Sequence, residues 1–458
     1  MQEIYIFKQG MLYGKLQNND CYILENNDFI PSKAIFYEII DVLPEGIDLK
    51  IMLKAFNCKT PIQLLPYLRN CIGDFSFSSN IDDNNFQKFI NSNINLEQKF
   101  PNILNAFLNI NQQNLNPESL IYKPNQRLSL SGYQHKLQVS IIDNVIEENY
   151  ADFILKPAND DFYNLAINEH LNVNFMSEFG FEVPLNAIVY DEILGQYHYL
   201  IKRFDRDEMF LPQISLNALM HSKDKYEGSI EKICSFLKDK LSNAQKKLFL
   251  QYIYANALLF NNDLHKKNIS FVFDNGELKL SPAYDVINIY VLKKLDKTQC
   301  VLHINGKLNR IQIGDFRQSS QILGFDFNAL KDSLNETLET YLNVYPKYIE
   351  KLSEIPHLCG LKKLQNTFLQ SYDKNLKLAR KQNIQPKIQN FTSNSLEDRM
   401  QILESNQQSI QNMQSSKDLT QEKNLTQDSK IEKNAESKRD SAQSADSLKK
   451  LNQKRKHK

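Results

Sequence analysis

The stretch NNDLHKKN at residues 261–268, followed by PAYD at residues 282–285, decides the fold of this chain. Between them lie the β-branched and aromatic run ISFVF at 269–273, an Asn-Gly pair at 275–276 and the alternating run LKL at 278–280. This pattern predicts a β-hairpin. Paired strands lie about 4.8 Å apart, so the residue before the first strand and the segment after the second reach the same edge. We therefore expect the two polar stretches to meet in one site.

The spacing of Asp263 and Asn268 is that of a protein-kinase catalytic loop, in which the Asp accepts a hydroxyl proton and the Asn binds a metal ion. Asp285 would then bridge Mg²⁺ to the phosphates of ATP, since Mg²⁺ prefers oxygen ligands and keeps several waters. His265 either orients Asp263 or packs beneath the loop. The pattern D-x-H-x-x-N also arises by chance in polar loops, but a buried helix predicted at 245–260 and the hairpin after it favour a catalytic loop.

A lysine at the end of a strand is predicted upstream. Residues 137–142 and 152–157 read as two strands, and the second contains Lys156. In kinases a lysine on such a strand holds the α- and β-phosphates of ATP. The small-residue loop at 127–136 precedes the first strand, and its amides could face phosphate oxygens. That loop is a weak signal by itself, because it has one glycine and neither a G-x-G-x-x-G nor a Walker A motif.

A helix predicted at residues 163–179 carries Glu169. We expect an ion pair between Glu169 and Lys156, the alternative being a solvated helix carboxylate. Residues 185–202 read as a further hairpin. The resulting order β-β-α-β-β is that of a kinase N-lobe.

In the order and spacing of these motifs, the chain resembles the HipA-type toxin kinases, which are the kinase components of bacterial toxin–antitoxin modules. The resemblance runs from about Ile4 to about Lys381. It rests on SLSGYQHK at 129–136, ILKP at 154–157, NE at 168–169, KRFDR at 202–206, DLHKKN at 263–268, PAYD at 282–285 and HINGK at 303–307. It implies an α+β, two-lobed protein-kinase-like fold with an added N-terminal α+β subdomain and a mostly helical C-lobe.

The resemblance also implies ATP and Mg²⁺ as cofactors, with Asp263 as catalytic base and Asn268 and Asp285 as metal ligands. The residues that would contact ATP are Ser131, Gly132, Gln134, Lys136, Lys156 and Glu169. In this family a serine of the phosphate loop is autophosphorylated, and here Ser129 and Ser131 are available. A phosphoserine carries nearly two negative charges and would repel ATP phosphates. The alternative is that both hydroxyls only cap a turn.

The function implied by the resemblance is that of a serine/threonine protein kinase acting on a translation protein such as an aminoacyl-tRNA synthetase. The implied partner is a HipB-like helix-turn-helix antitoxin, with DNA reached only through it. One alternative is a lipid or small-molecule kinase, since D-x-H-x-x-N also resembles the loop of phosphoinositide kinases, although no basic membrane-facing cluster is evident in the folded part. Another is a non-catalytic corepressor, against which the intact Lys156, Asp263, Asn268 and Asp285 argue.

Composition bounds the class of protein. The chain has 458 residues, of which 41% are hydrophobic, enough for a sizeable core. Lys and Arg total 55 against 54 Asp and Glu, so the whole chain shows no electrostatic preference for nucleic acid or membrane. Its 6 cysteines include no C-x-x-C pair, which favours free thiols over zinc. Without a signal-peptide pattern or a long apolar run, we expect a cytoplasmic protein with no membrane partner.

Four segments are expected along the chain: an N-terminal α+β subdomain at 1–115, a nucleotide-binding N-lobe at 116–208, a helical C-lobe with the catalytic loop at 209–382, and a polar, disordered tail at 383–458. The resemblance implies that the first segment packs on the N-lobe and helps to engage the antitoxin. Within the first segment, helices are predicted near 49–71 and 100–110.

Overall fold

The computed structural model describes residues 3–18, 20–68, 71–84, 89–108, 135–148, 152–206, 210–292, 297–382 and 384–386. Four of the residues predicted in the phosphate loop, Ser129, Ser131, Gly132 and Gln134, lie outside the described residues, as does the predicted tail beyond residue 386. No helix in the described ranges combines the length and hydropathy that a bilayer crossing requires.

The N-terminal part is an antiparallel sheet covered by helices. Its strands are β1 Ile4–Lys8, β2 Met11–Gln17, β3 Asp20–Glu25, β4 Asp28–Pro31 and β5 Phe75–Ser78, arranged in the order β4-β3-β2-β1-β5. Helices α1 (Lys33–Asp41) and α2 (Gly46–Ala55) and a 3-10 helix at Pro61–Tyr67 follow β4 in the chain. Apolar side chains from the sheet and from these helices form one core, which includes Ile6, Ile35, Leu64 and Phe77.

The second sheet has seven strands and carries the lysine predicted for nucleotide binding. The strands are β6 Ile103–Leu104, β7 Phe107–Leu108, β8 Leu137–Ile142, β9 Val145–Glu148, β10 Phe153–Lys156, β11 Asn186–Asp191 and β12 Gln196–Lys202, in the order β6-β11-β12-β10-β8-β9-β7. Helix α3 (Leu165–Met176) contacts β11 and β12. Strand β10 therefore pairs on both edges, and Lys156 is at the end of an interior strand.

The remaining part is mostly helical, as predicted. Its helices are α4 Leu216–Leu219, α5 Ile230–Leu237, α6 Asn243–Leu258, α7 Arg317–Leu323, α8 Phe327–Lys351 and α9 Leu361–Lys381. A small sheet of β13 Gln213–Ser215, β14 Ser270–Asp274 and β15 Glu277–Leu280 contains the predicted hairpin. The ring of Phe175 on α3 lies 4.8 Å from that of Tyr345 on α8, within a core shared by both lobes. The architecture is thus α+β and two-lobed, with an added N-terminal subdomain.

The helix predicted near residues 100–110 was wrong, because this segment forms β6 and β7. Ile103 pairs in parallel with Ile188, and Phe107 pairs in parallel with Val145. A short apolar run fits both the helical and the strand period, and pairing at the two edges of an existing sheet satisfies its backbone. These strands join the second sheet although the segment lies in the predicted first domain; the domain boundaries stay a prediction.

Two further local predictions need correction. The helix predicted near 49–71 ends at Ala55, and a 3-10 helix begins at Pro61. Proline disfavours helix at the residue before it and cannot supply a helical N–H, so it separates the two elements. The strand Val145–Glu148 was missed, and the order before α3 is therefore β-β-β rather than β-β.

The stretch RFDR at 203–206 joins the second sheet to the N-terminal subdomain. The buried guanidinium groups of Arg203 and Arg206 donate to the backbone oxygens of Cys71 and Gly73, both at 2.8 Å. Between them, Asp205 accepts hydrogen bonds from both arginines and from the backbone N of Gly73. Each buried charge is therefore paired, as burial requires.

Candidate active site

The predicted catalytic loop follows the buried helix α6. This helix begins at Asn243, with the Ser242 hydroxyl accepting from the backbone N of Gln245 at 3.5 Å, and apolar side chains cover most of its C-terminal half. After it the chain turns at Phe260, whose φ is 56°. Asp263 and Asn268 are both only 8% exposed. Both side chains are thus almost completely shielded from solvent.

Three side-chain hydrogen bonds hold the loop, and one of them ties it to the segment after the hairpin. The amide Nδ2 of Asn268 donates to the backbone oxygen of Asp263 at 3.0 Å. The amide Nδ2 of Asn261 donates to the backbone oxygen of Asp285 at 3.2 Å and to Oδ1 of Asn256 at 2.8 Å. Catalytic loop and PAYD stretch therefore meet, as the hairpin argument predicted.

Lys156 joins the two halves of the site. Its Nζ lies 2.6 Å from Oε1 of Glu169 on α3 and is in direct hydrogen-bond contact with Oδ1 of Asp285. The predicted ion pair between Lys156 and Glu169 is confirmed. Lys136, at the end of the predicted phosphate loop, approaches the same carboxylate, with its Nζ 3.6 Å from Oδ2 of Asp285. Three predicted site residues from three distant segments, Lys136, Lys156 and Glu169, thus cluster around Asp285.

The two aspartates of the site have opposite protonation tendencies. Burial and the charge of Asp285 raise the pKa of Asp263 to about 7, against the opposing effect of Lys225, Lys136 and Lys156. For Asp285, burial alone would raise the pKa, but Lys136 and Lys156 outweigh it and hold the pKa below its usual range. Environments that separate two neighbouring carboxyls in this way are typical of acid–base and metal-binding roles. Asp285 is suited to hold a cation, and Asp263 to exchange a proton near neutral pH.

The Lys156 ammonium is stabilised in its charged form. Burial would lower the pKa of Lys156, but the carboxylates of Asp285 and Glu169 outweigh it and raise this pKa. Burial raises the pKa of Glu169 to about 7, although Lys156 opposes the shift. The second oxygen of Glu169, Oε2, is buried and has no hydrogen-bond partner among the residues that the structure describes. Glu169 therefore depends on Lys156 for compensation of its charge.

His265 is buried beneath the loop. Burial lowers its pKa to about 3, so its imidazole is neutral at physiological pH. Its ring lies 5.1 Å from that of Tyr226, edge to face, and its backbone N donates to the backbone oxygen of Asp263 at 2.8 Å. This packing accounts for the burial, and the catalytic role predicted for His265 stays a prediction.

The site residues fit a hard divalent cation. Within the described ranges no three His, Cys, Asp or Glu side chains form a metal cluster, so a transition-metal site of that kind is not built here. What the structure offers instead is the ionised Asp285 carboxylate and the amide of Asn268, whose Nδ2 is used in a hydrogen bond and whose oxygen is the remaining ligand atom. One carboxylate and one amide oxygen match Mg²⁺, which retains waters and phosphate ligands.

Sequence reasoning missed Lys225. Among the cations near Asp263, Lys225 has the largest effect on the pKa of that carboxyl. Its backbone oxygen accepts from the backbone N of Lys266 at 3.1 Å, which places the segment against the catalytic loop. No local pattern distinguishes Lys225, because it lies in a polar connection between α4 and α5 and reaches the site only through tertiary contacts.

Comparison with known proteins agrees with this fold. Residues 128–346 match the family model described as the HipA-like C-terminal domain. A Haemophilus influenzae Rd protein named "Putative kinase" is 36% identical over 194 residues, which cover 38% of this chain and 56% of that protein. The chain thus spans little more than half the length of this curated relative.

Two solved structures are also similar. HipA from the Shewanella oneidensis MR-1 toxin–antitoxin system, solved with HipB and operator DNA, superposes with a TM-score of 0.62 at 16% identity, over 83% of this chain and 100% of that one. The Helicobacter pylori proinflammatory kinase CtkA gives a TM-score of 0.37 at 15% identity, over 53% of this chain and 92% of that one. The first shows a shared two-lobed, kinase-like fold. Residues 128–346 are similar in sequence to the HipA-like C-terminal domain.

Proposed function

We propose that the protein is an ATP- and Mg²⁺-dependent serine/threonine protein kinase of the HipA type. One observation carries the proposal. Lys156, paired with Glu169, contacts Asp285, and the backbone oxygen of Asp285 accepts a hydrogen bond from the loop that contains Asp263. A strand lysine, a helix glutamate, a metal-binding aspartate and a catalytic-loop aspartate in mutual reach are the parts that phosphoryl transfer requires.

We assign each site residue a role in phosphoryl transfer. Asp263 takes the proton of the acceptor hydroxyl, for which a carboxyl with a pKa near 7 is well matched. Asn268 and Asp285 would hold Mg²⁺, which would neutralise charge that develops on the transferred phosphoryl group. Lys156 and Lys136 bring positive charge to the phosphates. Because the chemistry needs little covalent help, positioning and electrostatics supply the rate.

Further contacts with ATP are assigned to Glu169, through Lys156, and to Ser131, Gly132 and Gln134 of the phosphate loop, and His265 is assigned the support of Asp263. We assign autophosphorylation to Ser129 and/or Ser131. A phosphate group on either serine would place nearly two negative charges beside the nucleotide, which would repel ATP and silence the enzyme. Phosphopeptide mapping of protein incubated with ATP tests this assignment, and label confined to other residues contradicts it.

The biological setting is proposed by likeness. The HipA of Shewanella oneidensis was solved with HipB and operator DNA, which supports a HipB-like helix-turn-helix antitoxin as partner, with DNA contacted through it. The substrate proposed is a cytoplasmic protein of translation, such as an aminoacyl-tRNA synthetase.

Labelled ATP provides the test. The protein is incubated with γ-labelled ATP, Mg²⁺ and a bacterial lysate, and the label is followed into protein and lipid fractions. Transfer to protein hydroxyls by the wild type, and not by Asp263→Asn, supports the proposal. Label in lipid points to a lipid kinase instead. An absence of both transfer and Mg-ATP binding in a thermal-shift assay overturns the proposal and favours a non-catalytic corepressor.

A further inference from the structure

Three carboxylates of the N-terminal subdomain, Asp41, Glu45 and Asp48, face the predicted active site, and we call them the acidic edge. Glu45, which immediately precedes α2, makes the central contacts. Its Oε2 lies 2.8 Å from Nζ of Lys225, and its Oε1 lies 2.6 Å from Nζ of Lys267. One carboxylate therefore holds the ammonium groups of two separate segments.

The other two members of the acidic edge extend this connection. Asp41, the last residue of α1, accepts from the hydroxyl of Ser215 at 2.8 Å and from its backbone N at 3.1 Å, and lies 3.9 Å from Nζ of Lys267. Asp48 has its Oδ1 2.5 Å from Nδ1 of His135 and accepts from the backbone N of Lys136 at 3.3 Å. The acidic edge thus contacts the catalytic loop and the end of the phosphate loop.

Each contact ends beside a residue of the proposed machinery. Lys267 immediately precedes Asn268, one of the proposed metal ligands. Lys225 hydrogen-bonds the catalytic loop through its backbone, and its ammonium acts on the Asp263 carboxyl. Lys136 faces Asp285. Segments that carry several positive charges would repel one another around the phosphate site, and the carboxylates of the acidic edge offset this repulsion.

Ordinary domain packing is the competing explanation. The Glu45 side chain remains 35% exposed, however, and partly solvated ion pairs contribute little to stability. What such pairs fix well is geometry, because a carboxylate that bridges two ammonium groups defines their separation. Small displacements of catalytic groups cost large factors in rate even when stability hardly changes.

We propose that Glu45 is a positioning residue for phosphoryl transfer, which holds Lys225 and Lys267 so that the catalytic loop presents Asp263 and Asn268 correctly, and that Asp48 positions Lys136, which faces Asp285, for ATP. The proposal rests on the kinase function proposed above. It makes the N-terminal subdomain part of the catalytic unit. Glu45 then governs the maximal rate, and Asp48 governs the affinity for ATP.

The test compares initial rates of label transfer from ATP to protein, measured against ATP concentration, for the full chain and its variants. Glu45→Gln is expected to lower the maximal rate about tenfold or more, with little change in the apparent KM for ATP. Glu45→Asp, which keeps the charge with a shorter reach, should recover part of that rate. Asp48→Asn should raise the apparent KM with little effect on the maximal rate.

Glu3→Gln is the matched control. Glu3, which immediately precedes β1, is also a partly buried carboxylate, 33% exposed and 2.8 Å from Nζ of Lys15, but it pairs with Lys15 and Tyr5 rather than with site segments. The control should keep wild-type kinetics, and all variants should melt within a few degrees of the wild type. A Glu45→Gln rate equal to that of Glu3→Gln overturns the inference while leaving the kinase function intact. A loss of rate that only follows a loss of folded protein also overturns it. A wild-type chain that transfers no label overturns the proposed function, and the inference with it.

Discussion

The ammonium of Lys156 lies 2.6 Å from a carboxylate oxygen of Glu169, and both side chains are almost completely buried. Breaking a buried pair by removing one partner leaves an uncompensated charge and costs about 3–5 kcal/mol. Lys156→Met should therefore lower the unfolding free energy markedly as well as abolish transfer. Lys156→Met combined with Glu169→Gln should restore part of the stability, because Asp285 also loses its contact with Lys156, and none of the activity. Chemical denaturation and label transfer measure the two effects, and equal stability of the single and double variants would contradict this account.

Asp263→Asn should lower the rate of transfer by a factor of about 10²–10⁴, the usual contribution of general base catalysis, or more where the group is also needed for positioning. The amide is isosteric and carries no charge, and burial already raises the pKa of this carboxyl, so the fold should be unaffected or slightly stabilised. Label transfer and thermal melting are the measurements. Asp274→Asn is the control, because Asp274 lies in the hairpin that follows the loop but is exposed and pairs with Lys279. Full activity of Asp263→Asn would refute the assigned base.

Removal of divalent cations should abolish transfer, and Asp285→Asn should shift the Mg²⁺ requirement to higher concentration. The reason is that Asp285 is the ionised carboxylate of the site, and an amide is a weaker ligand for a hard cation. Rates measured across an Mg²⁺ titration test this, for the wild type, for Asp285→Asn and for the control variant Asp274→Asn. An unchanged Mg²⁺ midpoint in Asp285→Asn would exclude it as a ligand.

Low pH should lower the free energy of unfolding because of His170, a buried residue of α3. Its Nε2 accepts from the backbone N of Asn102 at 3.0 Å, and its Nδ1 lies 2.7 Å from Oδ1 of Asn186, so the neutral ring is the one that fits. Burial lowers its pKa from 6.5 to about 4. Below pH 6.5 the unfolded chain binds the proton and the folded chain does not, so stability present above pH 6.5 is lost progressively as the pH falls to about 4.

The loss from this one group amounts to about 3 kcal/mol over that range. Unfolding free energies at pH 7.5 and pH 4 for the wild type and His170→Gln measure it, and the variant should show the smaller difference. The exposed His357 provides the control, since His357→Gln should retain the wild-type difference. Identical pH dependence in the wild type and His170→Gln would show that this imidazole does not govern acid sensitivity.

Local patterns correctly predicted the secondary structure around Asp263 and Asp285. The Asn-Gly turn and the flanking β-branched residues specify the hairpin of β14 and β15, and apolar periodicity specifies α6, since both signals are contained within a few residues. The pairing of Lys156 with Glu169 was predicted from the kinase pattern, in which a lysine at the end of a strand pairs with a glutamate of the following helix. These are features in which sequence neighbours are also structural neighbours.

Long-range contacts could not be predicted in this way. Nothing near Glu45 indicates that it bridges Lys225 and Lys267, because those residues lie in other segments and meet it only after the subdomains pack. The strands at Ile103–Leu104 and Phe107–Leu108 were missed for the same reason. Their conformation is imposed by the sheet edges that they join rather than by their own residues.

The arginine pair at 203 and 206 limits how this chain can be divided for study. Both guanidinium groups are buried and depend on backbone oxygens of Cys71 and Gly73 for partners. A fragment that starts at residue 128, where the family match begins, would lack Cys71 and Gly73, so both arginines would lose these backbone acceptors and keep the Asp205 carboxylate. Expression of that fragment by itself should yield aggregated protein, so the limits of homology are not the limits of an independently folding unit.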